Sequence, residues 1–77
     1  MTLSDSPFGH EMTVSGFQNT TESQVGLFLS LGLAPAMRVR VIRSAPMGCP
    51  LQVKVGHSLL SIRRKEAACI LVNEGSL

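Results

Sequence analysis

Two stretches of the sequence decide the fold: Ala45-Pro46-Met47-Gly48-Cys49-Pro50-Leu51 and, a short interval later, Ser58-Leu59-Leu60-Ser61-Ile62-Arg63-Arg64-Lys65-Glu66-Ala67. In the first stretch, two prolines and a glycine interrupt a run of alternating apolar residues, which is typical of a turn between strands. We therefore expect a β-hairpin whose loop is longer than two residues. A third strand is expected to follow it and to end at the basic residues 63–65.

Alternation of apolar and polar residues extends in both directions from this hairpin. The five segments that show it are residues 12–17, 37–41, 51–55, 60–62 and 68–72. Such alternation is the pattern of a strand with one buried face, so each segment is predicted as a short strand. Thr21 followed by Gln24 is a capping-box pattern, and Gly32 can end a helix in the left-handed conformation. A helix of about ten residues is therefore predicted between the first two strands.

These elements define the fold class. The sequence predicts an all-β protein, an SH3-like five-stranded antiparallel barrel with one short helix inserted after the first strand. Its expected core residues are Val14, Phe28, Leu31, Val39, Val41, Val53, Val55, Leu60, Ile62 and Ile70. Residues 1–77 are expected to form a single domain, with frayed ends at residues 1–2 and 73–77.

Composition excludes several classes of protein. The chain is 44% hydrophobic and 16% charged, and no stretch approaches the roughly 20 apolar residues of a membrane span, so no membrane insertion is expected. No signal segment is visible at the first residues, and two cysteines make no disulfide framework. We therefore expect a cytoplasmic protein in which Cys49 and Cys69 are reduced. The P-loop, GxGxxG, HExxH and GxSxG motifs are absent, and no enzymatic activity is expected.

Charge is divided unevenly along the chain. Residues 1–37 hold three acidic residues and no Lys or Arg, a net charge of −3, whereas residues 38–77 hold seven basic and two acidic residues, a net charge of +5. Attraction to an acidic partner is therefore expected from the second half, with solvated surface charge as the alternative. A nucleic-acid-binding barrel is a further alternative, disfavoured because the chain has no Tyr or Trp on which bases could stack.

No set of side chains predicts a resident metal site. His10, Glu11, Cys49 and His57 carry suitable donor atoms, but no two of them lie at the spacing of a strong metal motif. We therefore expect no required cofactor. A divalent metal is expected only as an adventitious ligand or as a bridge between molecules through these four residues.

The two opening stretches together resemble the paired signature of the FeoA family, and Leu31-Gly32-Leu33 with Pro35 resembles its Leu-Gly-Leu turn. The resemblance spans roughly residues 3–72 and implies a small cytoplasmic accessory protein of bacterial ferrous iron uptake. Such a protein binds and modulates the FeoB-like GTP-dependent transporter and is not an enzyme. An alternative of similar fold is a regulatory peptide-binding barrel like the C-terminal domain of iron-dependent repressors.

The resemblance also suggests a docking surface for the transporter's cytoplasmic region. A barrel core does not need apolar residues at its turns, so the apolar residues found there are expected to contact the partner. Nearby basic residues are expected to add long-range steering. The full set is Leu31, Gly32, Leu33, Met47, Gly48, Arg63, Arg64 and Lys65.

Two departures from the family pattern bear on the structure. Ala36 stands where the family usually has a turn glycine, which implies a backbone that does not need a positive φ there. Cys69 and Leu71 make the outer face of the last strand unusually apolar. Weak self-association through that strand is therefore expected.

Overall fold

The structure, a computed structural model, describes residues 1–74 as a five-stranded sheet with a helix after the first strand. The strands are β1 (Glu11–Phe17), β2 (Arg38–Ser44), β3 (Leu51–Val55), β4 (Ser58–Ile62) and β5 (Ile70–Glu74). The helices are α1 (Glu22–Ser30) and the single turn α2 (Arg64–Ala67), with a short 3-10 helix at Leu3–Asp5 and a tight turn at Pro46–Gly48. All pairings are antiparallel, in the order β4-β3-β2-β1-β5. The predicted fold class is confirmed.

The core is built mainly from alternate residues of the strands. In β2 and β3 the buried residues pair directly, Val39 with Val55 and Val41 with Val53. The buried hydrophobic residues are Leu3, Met12, Val14, Phe28, Leu33, Val39, Val41, Leu51, Val53, Val55, Ile62, Ala67, Ile70 and Val72. Because fully burying one large aliphatic side chain contributes about 1.5–3 kcal/mol, this set supplies most of the stabilisation available to so short a chain.

Both ends of α1 carry the capping interactions that the sequence predicts. The Thr21 hydroxyl oxygen accepts a hydrogen bond from the Gln24 N–H over 3.1 Å. At the other end, Gly32 has a φ of +91°, and its N–H donates to the Leu29 carbonyl over 3.0 Å. The Leu33 N–H donates to the Phe28 carbonyl over 3.0 Å, which completes a Schellman motif.

The Schellman motif decides which leucine of this turn is buried. It folds Leu33 back beside Phe28, and both side chains lie in the core. Leu31 keeps a helical backbone, and its side chain is 39% exposed. The expectation that Leu31 is a core residue is therefore wrong, and Leu33 takes that place. Leu60, also expected in the core, is only partly buried and packs against the core from its edge.

Ala36 adopts the backbone conformation that the sequence analysis excluded. Its φ is +77°, in the left-handed region. The Ala36 N–H donates to the Val14 carbonyl over 2.8 Å, and the Val14 N–H donates to the Met37 carbonyl over 2.9 Å. The expectation was wrong because pairing with β1 on both sides of Ala36 fixes its backbone, whatever side chain it carries.

The ends of the described chain are paired with β5 or belong to it. Thr2 forms an isolated bridge with Leu71 on the outer edge of β5, and residues 73–74 pair with β1 on its inner edge. Main-chain pairing thus reaches residues 1–2 and 73–74, and the fraying expected at these ends stays a prediction. Residues 75–77, the rest of that expectation, lie outside the described residues.

The same pairing covers the last strand. Leu71 is partly buried, and the neighbouring Val72 N–H donates to the Met1 carbonyl over 2.9 Å. Cys69 precedes β5 and packs partly buried against the core. The expected apolar outer face is therefore not left uncovered, and the argument for self-association through this strand loses its basis.

Val53 tests the placement of the core. It lies at the centre of β3 with no exposed surface. We expect Val53→Asp to lower the free energy of unfolding by several kcal/mol, because it buries a carboxylate without a partner. Thermal and urea denaturation followed by circular dichroism measure this, with the exposed neighbour substitution Lys54→Asp as the control. Equal melting of Val53→Asp and wild type would refute the placement.

Ala36 tests the strain at the left-handed position. The left-handed conformation costs an L-residue roughly 1–2 kcal/mol, and glycine at this position would avoid that cost. Glycine also has more conformational freedom in the unfolded chain, which lowers the free energy of unfolding by about 0.5–1 kcal/mol. We therefore expect Ala36→Gly to raise the free energy of unfolding by about 0.5–1 kcal/mol. Ala34, which does not have a positive φ, is the matched control. Ala34→Gly should lower the free energy of unfolding. If Ala36→Gly lowers it as well, the strain assigned to Ala36 is contradicted.

Candidate functional site

The loop between β2 and β3, residues 46–50, is closed by its own hydrogen bonds and is called the hairpin loop below. Pro46 and Met47 occupy the centre of a turn in which the Gly48 N–H donates to the Ala45 carbonyl over 2.9 Å. Met47 has φ 71° and ψ 12°, the values of the third residue of a type II turn. Its side chain is fully exposed. The hairpin loop therefore presents an apolar side chain on a defined backbone.

Arg64 ties the hairpin loop to the N-terminal segment. Its Nε donates to the Gly48 carbonyl, and its Nη1 donates to the Ser4 carbonyl over 3.3 Å. The sequence analysis expected Arg64 to steer a partner together with its two basic neighbours. The structure adds an intramolecular role for Arg64, because its exposed guanidinium hydrogen-bonds both carbonyls while keeping its positive charge.

The two basic neighbours of Arg64 lie elsewhere. Arg63 and Lys65 line a shallow pocket beside the start of α1, together with Gln24 and Glu66. The Gln24 Nε2 donates to the Glu66 Oε2 over 3.2 Å and joins α1 to α2. Arg63 and Lys65 are both exposed, so their charges, like that of the exposed Arg64, remain available for steering.

The Leu-Gly-Leu turn, residues 31–33, and the hairpin loop lie at opposite ends of β3. A Cβ placed on Gly32 would lie 3.5 Å from a Val55 side-chain carbon, at the end of β3. The hairpin loop joins β3 at its other end, Leu51. At roughly 3.3 Å per residue the two ends are about 13 Å apart. The residues of the docking surface expected from the sequence therefore lie at two places about 13 Å apart, a separation that one protein partner can span. Leu33 is buried and cannot contact a partner in either one.

The four metal-ligand candidates are dispersed. His10 precedes β1, Cys49 lies in the hairpin loop and His57 lies in the turn between β3 and β4. Glu11, at the start of β1, pairs with Arg40 of β2. Within residues 1–74, no group of three or more His, Cys, Asp or Glu side chains is arranged to hold a metal ion.

A groove that the sequence analysis did not single out crosses the outer face of β1, β2 and β3. It has a volume of about 500 Å³ and is lined by Glu11, Arg38, Arg40 and Lys54, with residues 36–37 and Gly56 at its rim. The alternation of β2 predicted that Arg38 and Arg40 face outward, and both are exposed. Glu11 was considered only as a metal-ligand candidate and Lys54 was not considered, because only the strand register brings both beside Arg40.

Comparison with known proteins places this fold. The FeoA domain family model matches residues 1–74. The FeoA protein of Chlorobium tepidum is 31% identical with a TM-score of 0.87, and the match covers 96% of this chain and 70% of that one. The FeoA protein of Stenotrophomonas maltophilia, solved with zinc and described as a prokaryotic SH3 domain protein, is 29% identical with a TM-score of 0.82, over 95% of this chain and 89% of that one. A search of curated proteins gives no match.

The same fold occurs inside a larger protein. A manganese-dependent transcriptional repressor has a TM-score of 0.84 and 19% identity, over 96% of this chain and 41% of that one. At this identity the likeness shows the fold alone.

The sheet, its single helix after β1 and these neighbours define a small SH3-like domain. The chain belongs to the FeoA family. Membership implies an accessory, non-enzymatic role in ferrous iron transport. No helix within residues 1–74 is long and apolar enough to cross a membrane.

Arg64 provides a test of the hairpin loop's attachment. We expect Arg64→Ala to lower the free energy of unfolding by about 1 kcal/mol, because two hydrogen bonds to main-chain carbonyls are lost at an exposed site. Arg63→Ala is the matched control and should stay within about 0.5 kcal/mol of wild type. Chemical denaturation measures both variants, and amide NMR shifts should change at Gly48 in Arg64→Ala alone. Equal behaviour of the two variants would show that Arg64 does not anchor the loop.

Proposed function

We propose that this protein acts in the cytoplasm, where it binds the cytoplasmic region of a FeoB-like GTP-dependent ferrous iron transporter and modulates iron uptake. Membership of the FeoA family supports the pathway. No helix within residues 1–74 is long and apolar enough to cross a membrane. This is compatible with a protein that reaches the membrane-embedded transporter from one side. The mode of action is binding and not chemistry.

The fully exposed Met47 is the observation that carries this proposal. An unbranched thioether side chain adapts to the shape of an apolar pocket, and methionine is used for this purpose at protein-binding surfaces. The closed turn and the Arg64 contacts hold the hairpin loop before binding. Binding then has less conformational entropy to remove.

Two other features add to this surface. Leu31 offers a partly exposed apolar side chain at the far end of β3. Arg63 and Lys65 provide positive charge near α2, which raises the association rate with an acidic partner. The contacts of Leu31, Arg63 and Lys65 are secondary to those of the hairpin loop. Among the described residues of α2, only Arg64 is hydrogen-bonded to that loop.

A second candidate is a regulatory domain that binds a peptide segment. The fold shared with the manganese-dependent transcriptional repressor is compatible with this candidate, since there the fold is 41% of a larger protein. Such a domain would act on a segment of its own assembly and not on a transporter. The two candidates differ in whether the transporter's cytoplasmic domain is bound.

We also propose that no resident metal is needed. The dispersal of His10, Glu11, Cys49 and His57 supports divalent cations only as adventitious ligands or as bridges between two molecules. Binding to the transporter should then be unchanged by a chelator.

The test is a titration of the labelled protein with the transporter's purified cytoplasmic domain, with and without guanine nucleotide. We expect saturable binding by wild type and at least about tenfold weaker binding by Met47→Asp, because a charge replaces the apolar anchor. Iron-dependent growth should fall with the same variant. Its melting temperature should match wild type, since Met47 contributes nothing to the core.

Phe8→Asp is the matched control. Phe8 is also an exposed apolar side chain at a turn, 51% exposed, and lies outside the hairpin loop. It should bind like wild type. Absence of binding by wild type in every nucleotide state would remove the transporter as the partner. Equal binding by wild type and Met47→Asp would remove only the assigned surface.

A further inference from the structure

The groove across β1, β2 and β3 places four charged residues on one face of the sheet. Glu11 pairs with Arg40, and Arg40 pairs with Lys54 on its other side. These three residues therefore form one row across three neighbouring strands. Arg38 lies on the same face two residues along β2. Directly paired residues have their Cβ atoms about 4.5–5.5 Å apart, so the charges in the row act on one another.

This arrangement leaves positive charge uncompensated. Like charges directly opposite one another destabilise a sheet, and Arg40 and Lys54 are such a pair. Glu11 is the one acidic residue that lines the groove, and it offsets one of the three positive charges. The groove therefore carries a net charge of +2, and an anionic ligand between Arg40 and Lys54 would relieve their repulsion.

The row of charges crosses three neighbouring strands about 4.8 Å apart, so a ligand that contacts the whole row must be extended. It is open to solvent over its volume of about 500 Å³, and the strands form its floor. Gly56 at one rim has no atom within 4 Å of the position that a Cβ would take, so the groove is not blocked there. Met37 lies at the rim with 37% of its surface exposed and offers an apolar contact beside the charges.

We propose that this groove binds an acidic, extended segment of the partner protein, with its carboxylates on Arg38, Arg40 and Lys54. Arginine binds carboxylates through two parallel hydrogen bonds, which gives geometry as well as attraction. The inference rests on the proposed function in one respect, because the partner that carries the segment is taken to be the transporter's cytoplasmic region.

Two observations favour a protein segment over a nucleic acid. Glu11 lies among the basic residues and repels a continuous row of phosphates, whereas a peptide can place a neutral or basic residue opposite it. The groove also lacks an aromatic ring on which a base could stack. Glu11 thus selects for ligands in which acidic residues are spaced and not continuous.

The first experiment follows amide NMR shifts of the full-length protein during titration with a synthetic peptide of alternating Glu and Ala. We expect shifts at Arg38, Arg40 and Lys54, weakened by raised salt, and none with the matched Gln-Ala peptide. The variant Arg38→Glu/Lys54→Glu should lose them. This double variant should still fold, because the glutamate carboxylate at residue 54 would lie opposite the positive charge of Arg40. Shifts confined to other surfaces, or tighter binding of a single-stranded RNA to the same residues, would overturn the proposal.

The second experiment repeats the transporter-domain titration with this double variant. We expect its affinity to fall at least about tenfold, which corresponds to about 1.4 kcal/mol. Arg43→Glu is the matched control, since Arg43 is a basic residue of β2 that donates to Gln52 and does not line the groove.

The outcomes separate the two proposals. Equal binding of the transporter domain by wild type and the double variant overturns the groove and leaves the proposed function standing. No binding of that domain by wild type, together with groove shifts on peptide addition, overturns the proposed function and supports an acidic-segment site for another partner.

Discussion

The Schellman motif at the end of α1 is the constraint on which the rest of the structure depends. Residues 1–74 contain one helix of useful length to cover the sheet, so the turn that ends this helix fixes what enters the core. The motif places Leu33 beside Phe28, whose ring stacks on Phe17 with 5.6 Å between centroids. The chain must then meet β1 within a few residues, which forces Ala36 into a left-handed backbone. Strand β2 and the outer groove begin directly after that point.

Much of the fold follows from the sequence because alternation in a strand reports burial directly. Val39, Val41, Val53 and Val55 were predicted correctly on that basis alone. Leu31 was predicted in the core, whereas the structure buries Leu33 in that place. Helical periodicity gives no guidance once the chain turns at Gly32. The φ of Ala36 was misread, since the glycine that the family usually has there indicates a positive φ. The pairing of Thr2 with Leu71 could not be predicted, because it joins segments distant in sequence. The groove was also not predicted, because its charges come from three strands whose register is set only in the folded sheet.

The candidate surfaces show how a basic sequence divides in three dimensions. Residues 63–65 are one cluster in the sequence, yet Arg64 turns to the hairpin loop while its neighbours line a pocket by α1. Charge on the outer face of the sheet is organised by register, whereas the hairpin loop is organised by its turn geometry and the Arg64 contacts. A partner that used both would contact the exposed apolar side chain of the hairpin loop and the charged groove on the sheet. The first sets the orientation of the complex and the second its rate of formation.

The bridge between Thr2 and Leu71 makes the two edges of the sheet unequal. Edge strands can template further strands from other molecules, and a sheet with two open edges can grow without limit. Here the N-terminal segment occupies the outer edge of β5, while β4 pairs only with β3 among the described residues. A second molecule that paired with β4 through its own β4 would be related to the first by a two-fold axis. Such an isologous pair uses the exposed β4 edge of both molecules and therefore closes at two copies, without the repeated head-to-tail contact that builds a filament.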